Sequence, residues 1–192
     1  MTTERLYHSV RLLLLRAPKK RAEYLRRNRI LAGIGENVSW GPWFLPLYPK
    51  LIKVHNNVTI HKTVHIVTHD VVNAFLKKAH PDMDFGWREV LGCVEIMDNV
   101  NIAMNVTIMP NVRIGKDCII SAGSVVNADI PDNTIAAGNP AVPIGRTDMF
   151  IAMRRMSKGS HPQFKNQELP DELAEKEWDK FYAKHDRAKK TG

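Results

Sequence analysis

From Ile96 to Val126 the chain reads IMDNVN IAMNVT IMPNVR IGKDCI ISAGSV V. Ile96, Ile102, Ile108, Ile114, Ile120 and Val126 fall six apart, and Val100, Val106, Val112, Cys118 and Ser124 follow the first five at plus four. A helix repeats apolar residues at three and four, a half-buried strand at two. A period of six with a small partner at plus four marks a β-solenoid, each hexad giving one short strand and one corner. Three hexads close a triangular coil, so residues eighteen apart stack: Ile96 beneath Ile114, Ile102 beneath Ile120, Ile108 beneath Val126. Asn99, Asn105, Asn111, Asp117 and Gly123 stand at the corners. Asn, Asp and Gly visit positive φ most readily, which sharp corners require.

Outward from this run, the beat is present earlier at Val54, Ile60 and Ile66, with Val58 and Val64 on the secondary position. Ile34 to Val38 opens the first hexad, and the Trp- and Pro-rich stretch 40–46 breaks it. A bulged first coil is expected there, with Trp40 and Trp43 in core, in an interface or stacking on a ligand. The beat stops after Asp70 and resumes near Val94. Residues 71–92 are therefore expected to form an inserted loop, and long insertions in regular repeats are often binding elements. Gly138 to Ala141 closes the last coil.

The predicted organisation is mainly β: an N-terminal helical cap over 1–33, a solenoid over 34–146 and a helical extension over 147–192. In the cap, Leu6, Val10, Leu13, Leu14, Ala17, Tyr24 and Leu25 share a face expected to pack on the open end of the solenoid, and Pro18 divides the segment. Thr147 to Arg155 reads as a short helix with Thr147 as its cap, and Pro170 to Lys189 as a second.

The chain has 192 residues, a net charge of +8 and a pI near 9.6. That balance suits a phosphorylated small molecule, an anionic membrane surface or nucleic acid. No helix-turn-helix, finger or aromatic RNA motif supports the last, so no nucleic-acid partner is expected. The basic N-terminal helix suits at most a weak membrane-surface contact. Cys93 and Cys118 form no metal or redox motif, and Cys118, at an inward position, reads as a small buried hydrophobe. No apolar run reaches a membrane span and no signal peptide is read, so the expected location is the cytoplasm.

The run from Ile114 to Ala141, with its Ala-Gly-Ser-Val-Val core and Gly-Asn-Pro-Ala end, resembles the closing signature of the hexapeptide-repeat acyltransferases, in their O-acetyltransferase branch (galactoside, maltose and xenobiotic acetyltransferases). Val67-Thr-His-Asp70 is similar to that branch's catalytic histidine segment. The resemblance covers roughly 34–146. It implies a left-handed parallel β-helix, an acetyl-CoA donor without metal, and a homotrimer with active sites between neighbouring solenoids. It also implies His69 as general base on an acceptor hydroxyl, with Asp70 beside it. The chemistry needs such a group independently. An alcohol attacks a thioester slowly unless its proton is removed, and imidazole takes that proton near neutral pH.

For the donor, the resemblance places the Ala122 amide, with Gly123, on the pantetheine arm. Met104 lies one coil below, near the thiol end. Asn127 and Ala128 stand where relatives carry Thr-Lys by the CoA phosphates, so Arg146 or Lys116 is expected to replace the missing cation. Asn73, Phe75 and Trp87 in the insertion are the candidate acceptor contacts. A zinc site of His61, His65 and His69, and His80 as the base, are weaker readings. The expected acceptor is a small hydroxylated molecule, a sugar being favoured. An amino-sugar or antibiotic acyltransferase and a non-catalytic scaffold are the alternatives.

Overall fold

A computed structural model describes residues 3–86, 89–156 and 169–189. Trp87 lies outside the described residues. The chain divides into two compact units, 1–152 and 153–192.

The first unit begins with α1 (Thr3–Leu14) and α2 (Pro18–Arg27), Pro18 opening the second helix where its missing N–H costs nothing. The solenoid follows as three parallel sheets. The first contains β1 (Gly33–Ile34), β3 (Ile52–Val54), β8 (Val94–Ile96) and β11 (Val112–Ile114). The second contains β2 (Ser39–Trp40), β4 (Thr59–Ile60), β9 (Asn101–Ile102), β12 (Ile119–Ile120) and β14 (Thr134–Gly138), with β15 (Ala141–Arg146) antiparallel at its end. The third contains β5 (His65–Ile66), β10 (Thr107–Ile108) and β13 (Val125–Val126). This is the β-solenoid that the hexads predict, and the left-handed parallel β-helix that the family resemblance implies.

The register confirms the eighteen-residue stack: Ile96 pairs with Ile114, Ile102 with Ile120 and Ile108 with Val126. The first coil is two residues longer, pairing Ser39 with Thr59, and the insertion widens the next interval so that Ile60 pairs with Ile102. All six isoleucine and valine openers are fully buried, and Cys118 and Ser124 are fully buried at the secondary position. Burying each such aliphatic side chain contributes roughly 1.5–3 kcal/mol. Burial also pushes the Cys118 thiol above its ordinary pKa.

The corners adopt left-handed backbone as expected, at Asn99 (φ 61°), Asn105 (59°), Asn111 (62°), Asp117 (56°) and Gly123 (75°). Along the edge between the first and second sheets the side chains form a ladder. Asn37 donates to Asn57 (2.9 Å), Asn57 to Asn99 (3.0 Å) and Asn99 to Asp117 (2.9 Å). Each amide thereby closes a corner and ties one coil to the next.

Three expectations need correction. The insertion is not only a loop: β6 (His69–Asp70) pairs antiparallel with β7 (Val90–Leu91), and α3 (Val72–Ala79) lies between them. An eight-residue helix spans barely two turns, too few to show a periodic signal. In the cap, Leu12 and Leu25 are buried, but Leu6, Val10, Leu13 and Leu14 are exposed. α1 packs instead through the face of Ser9 and Leu12, where Arg5 donates to the Leu45 carbonyl and His8 meets the Tyr24 hydroxyl. At α4 (Thr147–Met156), Thr147 is not the cap. Its hydroxyl has no partner, whereas Asn133 Oδ1 accepts from the Asp148 amide. The second unit contains α5 (Asp171–Lys189), a helix with acids in its first turn.

Candidate active site

His69 leaves the solenoid at the edge between the third and first sheets. Thr68, fully buried, donates through Oγ1 to the Leu47 carbonyl (2.5 Å), and the Gly92 amide returns to the Thr68 carbonyl (2.9 Å). The insertion thus departs and re-enters through one corner. A Cβ on Gly92 would lie 2.6 Å from Pro110 Cβ, so only glycine fits that return.

The His69 ring is half-buried, and its Nδ1 is buried without a hydrogen-bond partner. Tyr48 meets it edge-on, with centroids 5.7 Å apart and planes at 78°. Tyr48 adopts left-handed backbone (φ 50°), a strained choice for a bulky residue. The Thr68–Leu47 bond and the 3-10 turn over Pro49–Leu51 hold it there. Its hydroxyl donates to Glu89 Oε2, and that bond, with burial, raises the phenol pKa. Neither Tyr48 nor Glu89 was legible as a site residue. Asp70 does not reach the ring: its Oδ1 accepts from the Val72 amide (2.7 Å) and so starts α3. Phe75 is exposed on α3, with Asn73 half-buried nearby in the helix. His80 sits beyond the helix, its ring 6.2 Å from that of Phe85.

The expected donor residues separate onto three edges. Asn127 and Ala128 are exposed on the His69 edge, where Asn127 stacks over Met109 and Met109 over Val67. Met104, Ala122 and Gly123 lie on the edge between the second and third sheets. There the Gly123 amide donates to the Met104 carbonyl (3.0 Å), and Met104 is half-exposed. By register, Lys62 continues this column below Met104. The third sheet lies between the two groups, roughly 16 Å across at an ordinary strand rise. Arg146 and Lys116 belong to the remaining edge. Arg146 ends β15 opposite Thr134 and is paired with Asp148 (2.5 Å), an exposed ion pair that holds the Asp148 carboxyl well below the carboxylate range. The structure therefore does not bring Arg146 or Lys116 to Asn127 and Ala128.

His61, His65 and His69 are spread from one edge of the third sheet to the other. Among the described residues, no three His, Cys, Asp or Glu side chains form a group able to hold a metal ion. No described helix is long and apolar enough to cross a membrane. Trp40 is fully buried, whereas Trp43 is half-exposed.

Comparison with known proteins agrees with this architecture. The family described as bacterial transferase hexapeptide (six repeats) matches residues 93–128. C18B11.09c of Schizosaccharomyces pombe, named as a candidate acetyltransferase, is 36% identical over 120 residues, 59% of this chain and 55% of that protein. The chain thus spans about half the length of that curated relative. A maltose O-acetyltransferase from Clostridium difficile 630 superposes with a TM-score of 0.53 at 28% identity, over 74% of this chain and 86% of that one. A galactoside acetyltransferase solved with coenzyme A shares the fold, with a TM-score of 0.52 at 22% identity over 88% of this chain and 92% of that one. In its repeat and in its fold the chain is thus similar to hexapeptide-repeat acetyltransferases.

Proposed function

We propose that this chain transfers an acetyl group from acetyl-CoA to a hydroxyl of a small acceptor, a sugar, with His69 as the general base. The observation that carries the reading is the placement of His69. An edge-on Tyr48 packs against a half-exposed imidazole, its Nδ1 turned inward, at the corner where the insertion leaves the solenoid. The Clostridium difficile relative, a maltose O-acetyltransferase by name, supports the transferred group and the acceptor class.

The acceptor O–H gives its proton to the imidazole as its oxygen bonds to the thioester carbon. The tetrahedral intermediate collapses with C–S cleavage, and the imidazolium returns the proton to the departing thiolate. The products are the acetyl ester and CoA thiol. A backbone N–H at a corner suits the transient oxyanion. The Gly123 amide donates to the Met104 carbonyl and is not that donor.

His69 and the Met104–Ala122–Gly123 column lie on different edges, so the complete site requires a second copy. A homotrimer with three inter-subunit sites follows from this reading. Acetyl-CoA as donor and two free cysteines fit a cytoplasmic location. A weak contact with an anionic membrane surface through α1 rests on its outward Leu6, Val10 and Leu13 beside Arg11.

The test is thiol release from acetyl-CoA with a panel of sugars, comparing the natural chain with His69→Ala. Release that depends on acceptor and falls by about two to four orders of magnitude in the variant supports the base assignment. Equal release by both proteins removes His69 from that role.

A further inference from the structure

Between α1, α2 and the lower coils of the second sheet runs a groove of about 740 Å³. Leu13 and Trp43 form its apolar wall, and Lys62, Thr63 and Met104 form the rim toward the solenoid edge. Lys62 and Met104 stack in the same column as Ala122. The groove therefore opens at the foot of the column assigned to the acetyl-CoA arm, where the acyl end is expected.

Its charge is one-sided. Arg16, Arg21 and Lys62 line it, and no Asp or Glu does. Arg21 donates to the carbonyls of Leu12 (2.9 Å), Leu15 (2.7 Å) and Gly41. These bonds fix the guanidinium without neutralising it. Arg16 and Lys62 are exposed, with no ion pair among the described residues. Three cations beside a half-exposed indole suit a ligand with an anionic group and a flat, partly apolar ring face. A second cleft of about 720 Å³ among the described residues, near Tyr48, includes Glu4 and touches no residue of the Met104 column.

We infer that this groove is the acceptor subsite and that the acceptor is an anionic sugar, bearing a phosphate or a carboxylate. The inference rests on the acetyl-transfer reading above and narrows it. The ring stacks on Trp43, the anionic group meets Arg16 and Lys62, and the hydroxyl to be acetylated points toward Met104. His69 of another copy supplies the base.

The test compares a neutral hexose, its 6-phosphate and the matching hexuronic acid as acceptors, in the natural chain and in an Arg16→Gln/Lys62→Gln double variant. The readouts are kcat/KM from thiol release, and the affinity for each sugar by calorimetry without CoA. The expected result is a preference of about tenfold or more for an anionic sugar over the neutral one, with that ratio collapsing in the double variant. A gain with the phosphate alone, or with the hexuronate alone, identifies the group. A ratio that is unity, or unchanged by the double substitution, overturns the groove assignment while leaving acetyl transfer intact. If no acceptor gives thiol release, the acetyl-transfer reading fails and calorimetry decides the groove separately. Binding of an anionic sugar that the double variant loses supports it, and no binding overturns it.

Discussion

Asn99 joins two effects that substitution can separate. It occupies a corner at φ 61°, accepts from Asn57 (3.0 Å) and donates to Asp117 (2.9 Å). Asn99→Gly removes both ladder bonds and keeps an easy left-handed corner. Two partly solvated bonds at the lower end of the usual range cost about 1–2 kcal/mol. Asn99→Ala removes the same bonds and also places a Cβ in the left-handed region, which costs roughly 1 kcal/mol more. The alanine variant is therefore expected to be the less stable by about that difference, although alanine lowers the entropy of the unfolded chain. Urea unfolding followed by circular dichroism measures both, and comparable slopes show whether the midpoints report stability alone. An alanine variant as stable as the glycine variant would refute the claim that left-handed corners at Asn positions help to set the coil. A glycine variant as stable as the natural chain would remove the ladder from the account of stability.

Two other perturbations probe the site and the surface. Tyr48→Phe removes the hydroxyl that Glu89 holds, loosening the ring against His69. The expectation is a kcat lower by about tenfold, equivalent to 1.4 kcal/mol, with acetyl-CoA affinity unchanged by calorimetry. An unchanged kcat removes Tyr48 as a positioning residue. On the first sheet, Glu95 bonds to His55 (2.9 Å) and Arg113 (2.9 Å) with Lys53 nearby. The His55 bond and then the Arg113 contacts outweigh burial and lower its pKa. A lowered folded-state pKa means that the contribution is whole above the unfolded value, about pH 4.3, and is lost as pH falls through the folded one. Glu95→Gln should therefore flatten stability on the acid side of that value in denaturation curves recorded from pH 6 to 3. A slope identical to that of the natural chain contradicts the network's role.

The solenoid was legible because every hexad opener does the same physical task. Ile96 to Val126 each fill one slot of a continuous core, so the period survives in the sequence without dilution. The corners were legible because left-handed backbone restricts the residue type. Local pattern failed where contacts are long-range. Tyr48 reaches His69 only because Thr68 holds the Leu47 carbonyl, a link between a bulge and a corner twenty-one residues apart. The buried face of α1 is not legible because the exposed Leu6, Val10, Leu13 and Leu14 outnumber the buried Leu12 beside Ser9. Arg146 follows the closing signature in sequence, yet β15 runs back along β14 and carries it to the edge opposite the expected phosphate contact. His69 was named from its motif, and the two-edge separation of His69 from Ala122 emerged only with the coil register.

That separation gives the most direct test. His69→Ala removes the base from one edge, and Ala122→Trp fills the donor column on the other. Each variant alone should be inactive in thiol release with an accepted sugar while keeping the oligomeric mass of the natural chain. Co-expressed in equal amounts with different tags and purified as mixed assemblies, they should regain about a third of the natural activity, because one of the three inter-subunit sites in every mixed trimer pairs an intact His69 with an intact Ala122. Mixed assemblies that form yet stay inactive would contradict a site built from the edges of two copies.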